Sequence, residues 1–140
     1  PVVEVASTDV IAEEVGPQAS RVDVAIDARR GEVFHAAYEP DGGALSRISD
    51  PSVVTPAELR SILGAVGGTV VLAGDGAQAH PDVLGVGAGV RHADVVHPRA
   101  DVLVRMAAAR LGAGDTTAPE LVRPRYLRRP DAVAKWEART

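Results

Sequence analysis

The sequence predicts an α/β domain with a mixed sheet and flanking helices, and three observations carry that expectation. The first is a hairpin pattern over residues 22–38. Val22, Val24 and Ile26 fall on one face at period two, and Val33, His35 and Ala37 alternate with Phe34, Ala36 and Tyr38 on the return. The second is the run TVVLA at residues 69–73, continuously apolar as in a strand covered on both faces. The third is a helix start at Thr55, with Pro56 at the first helical position and Glu58 placed to complete a capping box. Leu59, Ile62, Leu63 and Val66 then mark one helical face before Gly67 and Gly68 end it.

At 140 residues the chain is one domain, or one lobe of a two-lobed protein. A chain of that size buries roughly 68–70% of its unfolded surface, enough for a core. Aromatic residues are only 3% of the total, so that core is built from Ala, Val and Leu. Fifteen basic against nineteen acidic residues give a net charge of −4, which does not mark the whole chain as a nucleic-acid binder. There is no cysteine, hence no disulfide framework and no Cys-based zinc site. No apolar run approaches the ~18 residues of a membrane span and no signal peptide is visible, so a soluble cytoplasmic protein is expected. The chain opens on Pro1 without an initiator Met, as a fragment would.

The remaining elements follow in order. Val2, Val3 and Val5 suggest a short strand leading to Ser7 or Thr8 as a helix cap. Val10, Ile11, Glu13, Glu14 and Val15 then make a short amphipathic helix that Gly16 and Pro17 stop. After the hairpin comes a turn at residues 40–43. Leu45, Ile48, Val53 and Val54 suggest a third strand, interrupted by Asp50 and Pro51 and therefore at an edge. Gly74, Asp75 and Gly76 form a loop before a short helix near residues 81–84. Residues 85–89 read as a loop and residues 93–96 as a short strand. Pro98 opens a helix lined by Leu103, Met106, Ala107 and Leu111, closed by Gly112 and Gly114.

The hairpin turn is the richest stretch chemically: Asp27, Ala28, Arg29, Arg30, Gly31 and Glu32. Asp27 and Glu32 could act as a metal or acid/base pair, and Arg29 and Arg30 could grip a phosphate. The simpler reading is a solvated turn whose acids neutralise its arginines, and spacing alone favours it. Gly31 is the residue there that takes positive φ at no steric cost. His80, His92 and His97 lie near Asp75, Asp82 and Asp94 in sequence, without the spacing of a metal motif, and read as solvated loop histidines. No nucleophile motif is present, and choosing among Ser46, Ser49, Ser52 and Ser61 would be arbitrary. Arg123, Arg125, Arg128, Arg129, Lys135 and Arg139 outnumber Asp131 and Glu137 in the tail. This is either a nucleic-acid-backbone contact or a solvated tail whose Tyr126 and Leu127 pack back on the lobe, and the acidic whole favours the latter.

Residues 26–33, IDARRGEV, resemble the "iDARrgEvy" signature of the TsaB (YeaZ) family, bacterial scaffold proteins for threonylcarbamoyladenosine in tRNA. Three more stretches fall in that family's order. Residues 1–8 are similar to its "pvigVsT" entry, residues 73–77 to its "GdGa" loop, and residues 124–128 to its "P.YLR" close. The family's opening "DTst" strand and "GPGSFTGlR" loop are not in this chain, so the resemblance covers the second half of such a protein.

The resemblance implies one lobe of the actin-like/Hsp70-like (ASKHA, RNase H-like) fold, with residues 1–121 as the C-terminal lobe and 122–140 as a basic tail. In active members of that superfamily a Gly-rich turn lets backbone N–H groups approach phosphates. Here Ala28, Arg29 and Arg30 stand where glycine would be needed, Glu32 adds a repelling charge, and Asp75 puts a carboxylate at the second loop. The family-motif residues Asp27, Ala28, Arg29, Gly31, Glu32, Gly74, Asp75, Gly76, Tyr126, Leu127 and Arg128 are therefore expected to be structural or interaction residues. No catalytic residue, cofactor or metal is expected. The implied role is a scaffold supporting the catalytic paralogue TsaD, with TsaE and the threonylcarbamoyl-adenylate synthase TsaC, in modifying position 37 of tRNA. The family's contact with TsaD runs mainly through its first half. Contact with tRNA would be indirect or through the basic tail. The alternative is a nucleotide- or metal-dependent hydrolase using Asp27 and Glu32. A lobe lacking its partner sheet is also expected to expose an apolar patch where the absent half should dock, since the sheet of residues 69–73 is expected to be buried on both faces, and to self-associate.

Overall fold

The computed structural model describes residues 1–85, 87 and 89–128. Side-chain alternation along β1 (Arg21–Arg29) decides its layering. Val22 and Val24 pack with Ile11, Ala12 and Val15 of α1 (Ser7–Val15), while Ala25 packs on the opposite face with Leu59 and Leu63 of α2 (Pro56–Gly64). One strand thus divides two cores, and the molecule is helix, sheet, helix in section.

β1 pairs antiparallel with β2 (Glu32–Asp41) on one side and parallel with β5 (Val70–Ala73) on the other, and β5 pairs parallel with β6 (Val90–His92). The free edge of β2 is shared by β3 (Ala44–Arg47) and β4 (Ser52–Val54). The expected interrupted edge strand is therefore two short strands on one edge. All four residues of β5 are buried, as its unbroken apolar run requires. Two four-residue helices, α3 (Gly76–Ala79) and α4 (Pro81–Leu84), lie on the α2 side. α5 (Ala100–Gly112) lies against α1 and leads to a 3-10 turn at Pro119–Leu121. The capping box of α2 forms in full: Thr55 Oγ1 accepts from the Glu58 N–H, and the Glu58 carboxylate accepts from the Thr55 N–H.

Three expectations need correction. Val2, Val3 and Val5 do not make a strand. Val2 bridges Thr117 alone, and α1 starts at Ser7 behind Ala6, which has no capping side chain. The last strand lies at Val90–His92 rather than at residues 93–96. The following segment keeps contact with β5 through Ala93 N–H to Leu72 O and Gly74 N–H to Val95 O, but leaves the ladder. α5 begins at Ala100, and Val102 is its buried residue, with Met106 and Arg110 half-buried behind it. Leu103 and Leu111 are exposed, because α5 touches α1 along the narrow 102–106–110 row. Leu103, Val104 and Leu111 of α5 are among the exposed large apolar side chains.

Two carboxylates join neighbouring elements, one buried and one half-buried. Asp23 is fully buried, takes both Nε and Nη2 of Arg21 at 2.7 and 2.9 Å, and pairs with His35 Nε2 at 2.6 Å. Removing one partner of such a buried group costs about 3–5 kcal/mol. Asp9 on α1 accepts from Tyr38 Oη at 2.8 Å and Arg47 Nη1 at 3.1 Å, and Arg110 reaches its other oxygen at 3.4 Å. Four elements meet at one carboxylate.

Burial, reinforced by the charge of Asp9, pushes the Tyr38 phenol well above its ordinary value of 10.0. A group raised in the folded state stabilises at pH below its unfolded value, and that stability is lost as pH rises toward the folded one. Urea unfolding should therefore show stability falling above about pH 10, and Tyr38→Phe should flatten that alkaline slope. A second prediction concerns Gly74, at φ +94°, where an added Cβ would lie 2.2 Å from Ala25 O. Gly74→Ala should cost roughly 3–5 kcal/mol in the denaturation midpoint, because neither backbone can give way.

Candidate functional site

The hairpin tip is built from a bulge and a two-residue loop. Asp27 pairs with Val33 and Arg29 with Glu32, so Ala28 is the extra residue and Arg30 and Gly31 alone form the loop. A loop that short needs left-handed backbone at both positions, for which Asn-Gly is the usual choice. Here Arg30 adopts φ +58° and Gly31 +76°, and Arg29 before them adopts +64°. Gly31 takes positive φ as expected, but the bulge shortens the loop to two residues and both arginines are left-handed as well. Each non-glycine residue held there costs about 1–2 kcal/mol.

Three polar side chains hold this backbone in place. Asp27 Oδ1 accepts from the Arg29 N–H at 2.9 Å, and its other oxygen lies 3.3 Å from Arg29 Nη1. Asp75, 48 residues along the chain, accepts the Asp27 N–H at 2.8 Å. Arg128 donates to Arg29 O at 3.2 Å and pairs with the Glu32 carboxylate. The turn, the Gly74–Asp75–Gly76 loop and the closing Tyr126–Leu127–Arg128 segment, far apart in sequence, converge on one tip.

The glycines of the loop face β1. Cβ atoms at Gly74 and Gly76 would fall 2.2 and 2.9 Å from Ala25 O, so these residues are glycine to let the loop lie against the strand backbone. Asp75 precedes α3, and its carboxylate is turned to Asp27. Asp27 and Glu32 do not share a ligand position: one holds the turn and the other holds Arg128.

Of the histidines, His80 comes nearest, with Nε2 buried, without a hydrogen-bond partner and 3.9 Å from Asp27 Oδ1. His92 and His97 are exposed. Among the described residues no three His, Asp or Glu side chains gather closely enough to hold a metal ion, and no helix is long and apolar enough to cross a membrane. Tyr126 does not pack back on the lobe; it is 77% exposed, and the docking side chain is Arg128 two residues later. Arg129, Lys135 and Arg139 of the basic tail lie outside the described residues.

The sequence reading missed a polar cleft of about 560 Å³ between α1, β3 and the end of α5, with Asp9, Arg47, Arg110 and Arg123 in its wall. Asp9 takes donors from Arg47 and Arg110 there. Only the repeated arginines at unrelated positions could have signalled it.

No protein-family model matches the chain. It is 36% identical over 113 residues to the tRNA threonylcarbamoyladenosine biosynthesis protein TsaB of Escherichia coli (strain K12), a match over 79% of this chain and 48% of the relative. Its fold matches a crystal structure from Pseudomonas aeruginosa described as an uncharacterized protein with similarity to peptidase YeaZ. The TM-score is 0.74 at 25% identity, over 91% of this chain and 59% of the other. YeaZ from Pseudomonas aeruginosa superposes with a TM-score of 0.71 at 24% identity, over 90% and 60%. The chain spans about half the length of the curated relative it matches and about three fifths of the two structures. By motif order, identity and fold, it belongs to the TsaB/YeaZ family, of which it represents part of the length.

Proposed function

We propose that the chain is a non-catalytic scaffold part of the machinery that makes threonylcarbamoyladenosine in tRNA, supporting a TsaD-type catalytic paralogue. TsaE and the threonylcarbamoyl-adenylate synthase TsaC are its further partners, in the cytoplasm. Residues 1–121 act as the lobe and 122–140 as a basic extension, with the residues of the three converging segments holding surface rather than ligand.

One observation carries the reading: the loop glycines that could cradle a phosphate are occupied by the backbone of Ala25. A phosphate cradle works through exposed backbone N–H groups pointing at the ligand. At this tip the Asp27 and Arg29 N–H groups are taken by Asp75 and Asp27. Nothing comparable is offered to a substrate by Asp27 and Glu32, each of which has a protein partner of its own.

The competing reading is a hydrolase centred on Asp27 and Glu32, and the "peptidase" wording attached to one structural neighbour keeps it testable. Calorimetric titration with ATP and Mg²⁺ should give no binding heat. Saturable ATP binding, together with hydrolysis abolished by Asp27→Asn or Glu32→Gln in a folded variant, would overturn the scaffold reading.

A further inference from the structure

We propose that the outer face of α5 is the seat of the half of the family's length that this chain does not span. The proposal rests on family membership alone and goes beyond the scaffold reading. α5 is apolar on two opposite sides. On one side Val102 is buried and Met106 and Arg110 are half-buried. Arg110 reaches Asp9 of α1 there, and Arg99 at the head of α5 lies 3.6 Å from Glu14 of α1. On the other side Val104, Ala107, Ala108 and Leu111 recur at the spacing of one helical face, with Leu103 at its margin. Leu103, Val104 and Leu111 are 40%, 64% and 53% exposed. Among the described residues the other large exposed apolar side chains, Ile48, Leu121 and Tyr126, stand singly on separate elements, which is ordinary for a surface. A helix apolar on both sides is one that a complete fold covers on both sides.

Charge, shape and the point of attachment name the occupant. Covering the face strands no charge, because Asp101 pairs with Arg99 at 3.0 Å and with Arg105 at 3.6 Å. Ala107 and Ala108 stand at the middle of the stripe, where their small side chains let a packed helix or sheet come close to the helix axis. The start of the chain lies at the far end of α5. Val2 exchanges both backbone hydrogen bonds with Thr117, just past that helix, at 2.9 and 2.8 Å, and Arg110 donates to Glu4 O. Polypeptide joined ahead of Pro1 would therefore begin beside α5. The match to Escherichia coli TsaB takes in 79% of this chain but 48% of the relative, so a body about as long as the matched part accompanies it in the family. A second lobe of that size, attached at that corner and presenting an apolar contact face, fits the open side of α5.

The test is co-expression of the tagged full chain with the part of Escherichia coli TsaB that the match leaves uncovered. The two should purify together and sediment as a one-to-one complex. The chain has no cysteine, so Val104→Cys places a single thiol on the face. Peptide-resolved alkylation of that thiol should run at the solvent-exposed rate in the chain alone and roughly tenfold slower in the complex. Val104→Glu/Leu111→Glu should weaken the complex roughly tenfold or more, whereas Ile48→Glu should pair like wild type. Thermal melts of the double glutamate variant alone should match wild type, because both positions are exposed in the chain by itself, and this separates lost docking from lost folding. Overturning results are absence of a complex, a complex whose thiol alkylates as fast as in the chain alone, or undiminished pairing by the double glutamate variant. So is slow alkylation in the chain alone with a dimer in sedimentation, which assigns the face to a second copy. ATP titration leaves all of these outcomes untouched, so failure here sinks the docking surface and not the scaffold reading.

Discussion

The rest of the molecule depends on the approach of the loop after β5 to the backbone of β1. Gly74 and Gly76 lie so close to Ala25 O that no side chain fits at either position. That closeness lets Asp75 reach the Asp27 N–H at 2.8 Å. The contact joins segments 48 residues apart and lies just past the ends of the parallel β1–β5 pairing. The bulge at Ala28 and the left-handed turn beyond it begin one residue past this anchor. Without the anchor the tip would be an ordinary solvated hairpin end, free to choose a looser loop.

The core that presents this tip is assembled from small side chains. Ala25, Ala36, Ala37 and Ala73 are buried in the sheet alongside valines, with Ile11, Leu59 and Leu72 as the largest fully buried residues. Small residues let helices on both faces approach the sheet but supply little burial each, at roughly 25 cal/mol per Å² of apolar area. The fold adds polar joints at one buried and one half-buried carboxylate. Asp23 is satisfied by Arg21 and His35, and Asp9 by Tyr38, Arg47 and Arg110. Such joints are demanding, because each loses its value once one partner is missing. They specify which strand and helix belong together more sharply than interchangeable alanines and valines could.

Much of this was legible in the sequence, and what was legible was local. Period-two alternation located β1 and β2, the unbroken run at residues 69–73 located β5, and Thr55, Pro56 and Glu58 located the start of α2. The motif residues at the turn, the loop and the close could each be named in advance. Their convergence could not. No periodicity says that Asp75 accepts the Asp27 N–H or that Arg128 reaches Glu32. The buried Asp23 escaped notice because an acid at an inward-facing strand position looks like a solvent-facing one until its arginine and histidine are placed beside it. α5 was read one row off for a similar reason. Leu103 and Leu111 are large and apolar yet exposed, while Val102 is buried, Met106 and Arg110 are half-buried and Arg110 reaches back to Asp9 of α1. Hydrophobicity marks which residues can be buried, and the neighbouring helix decides which ones are.

The tip also shows why shape and chemistry can part company in a fold of this kind. A glycine-rich loop after a buried strand and a hairpin beside it are the ingredients of a phosphate cradle, and both are present. What decides is which way the glycines face. Here they face β1, so the freedom of glycine goes into packing, and the strained positions fall to two arginines, the first of them ion-paired with Asp27. A cradle would turn its backbone donors outward, whereas the Asp27 and Arg29 N–H groups are taken by Asp75 and Asp27. The tip keeps the outline of a phosphate site while those donors close on the protein itself.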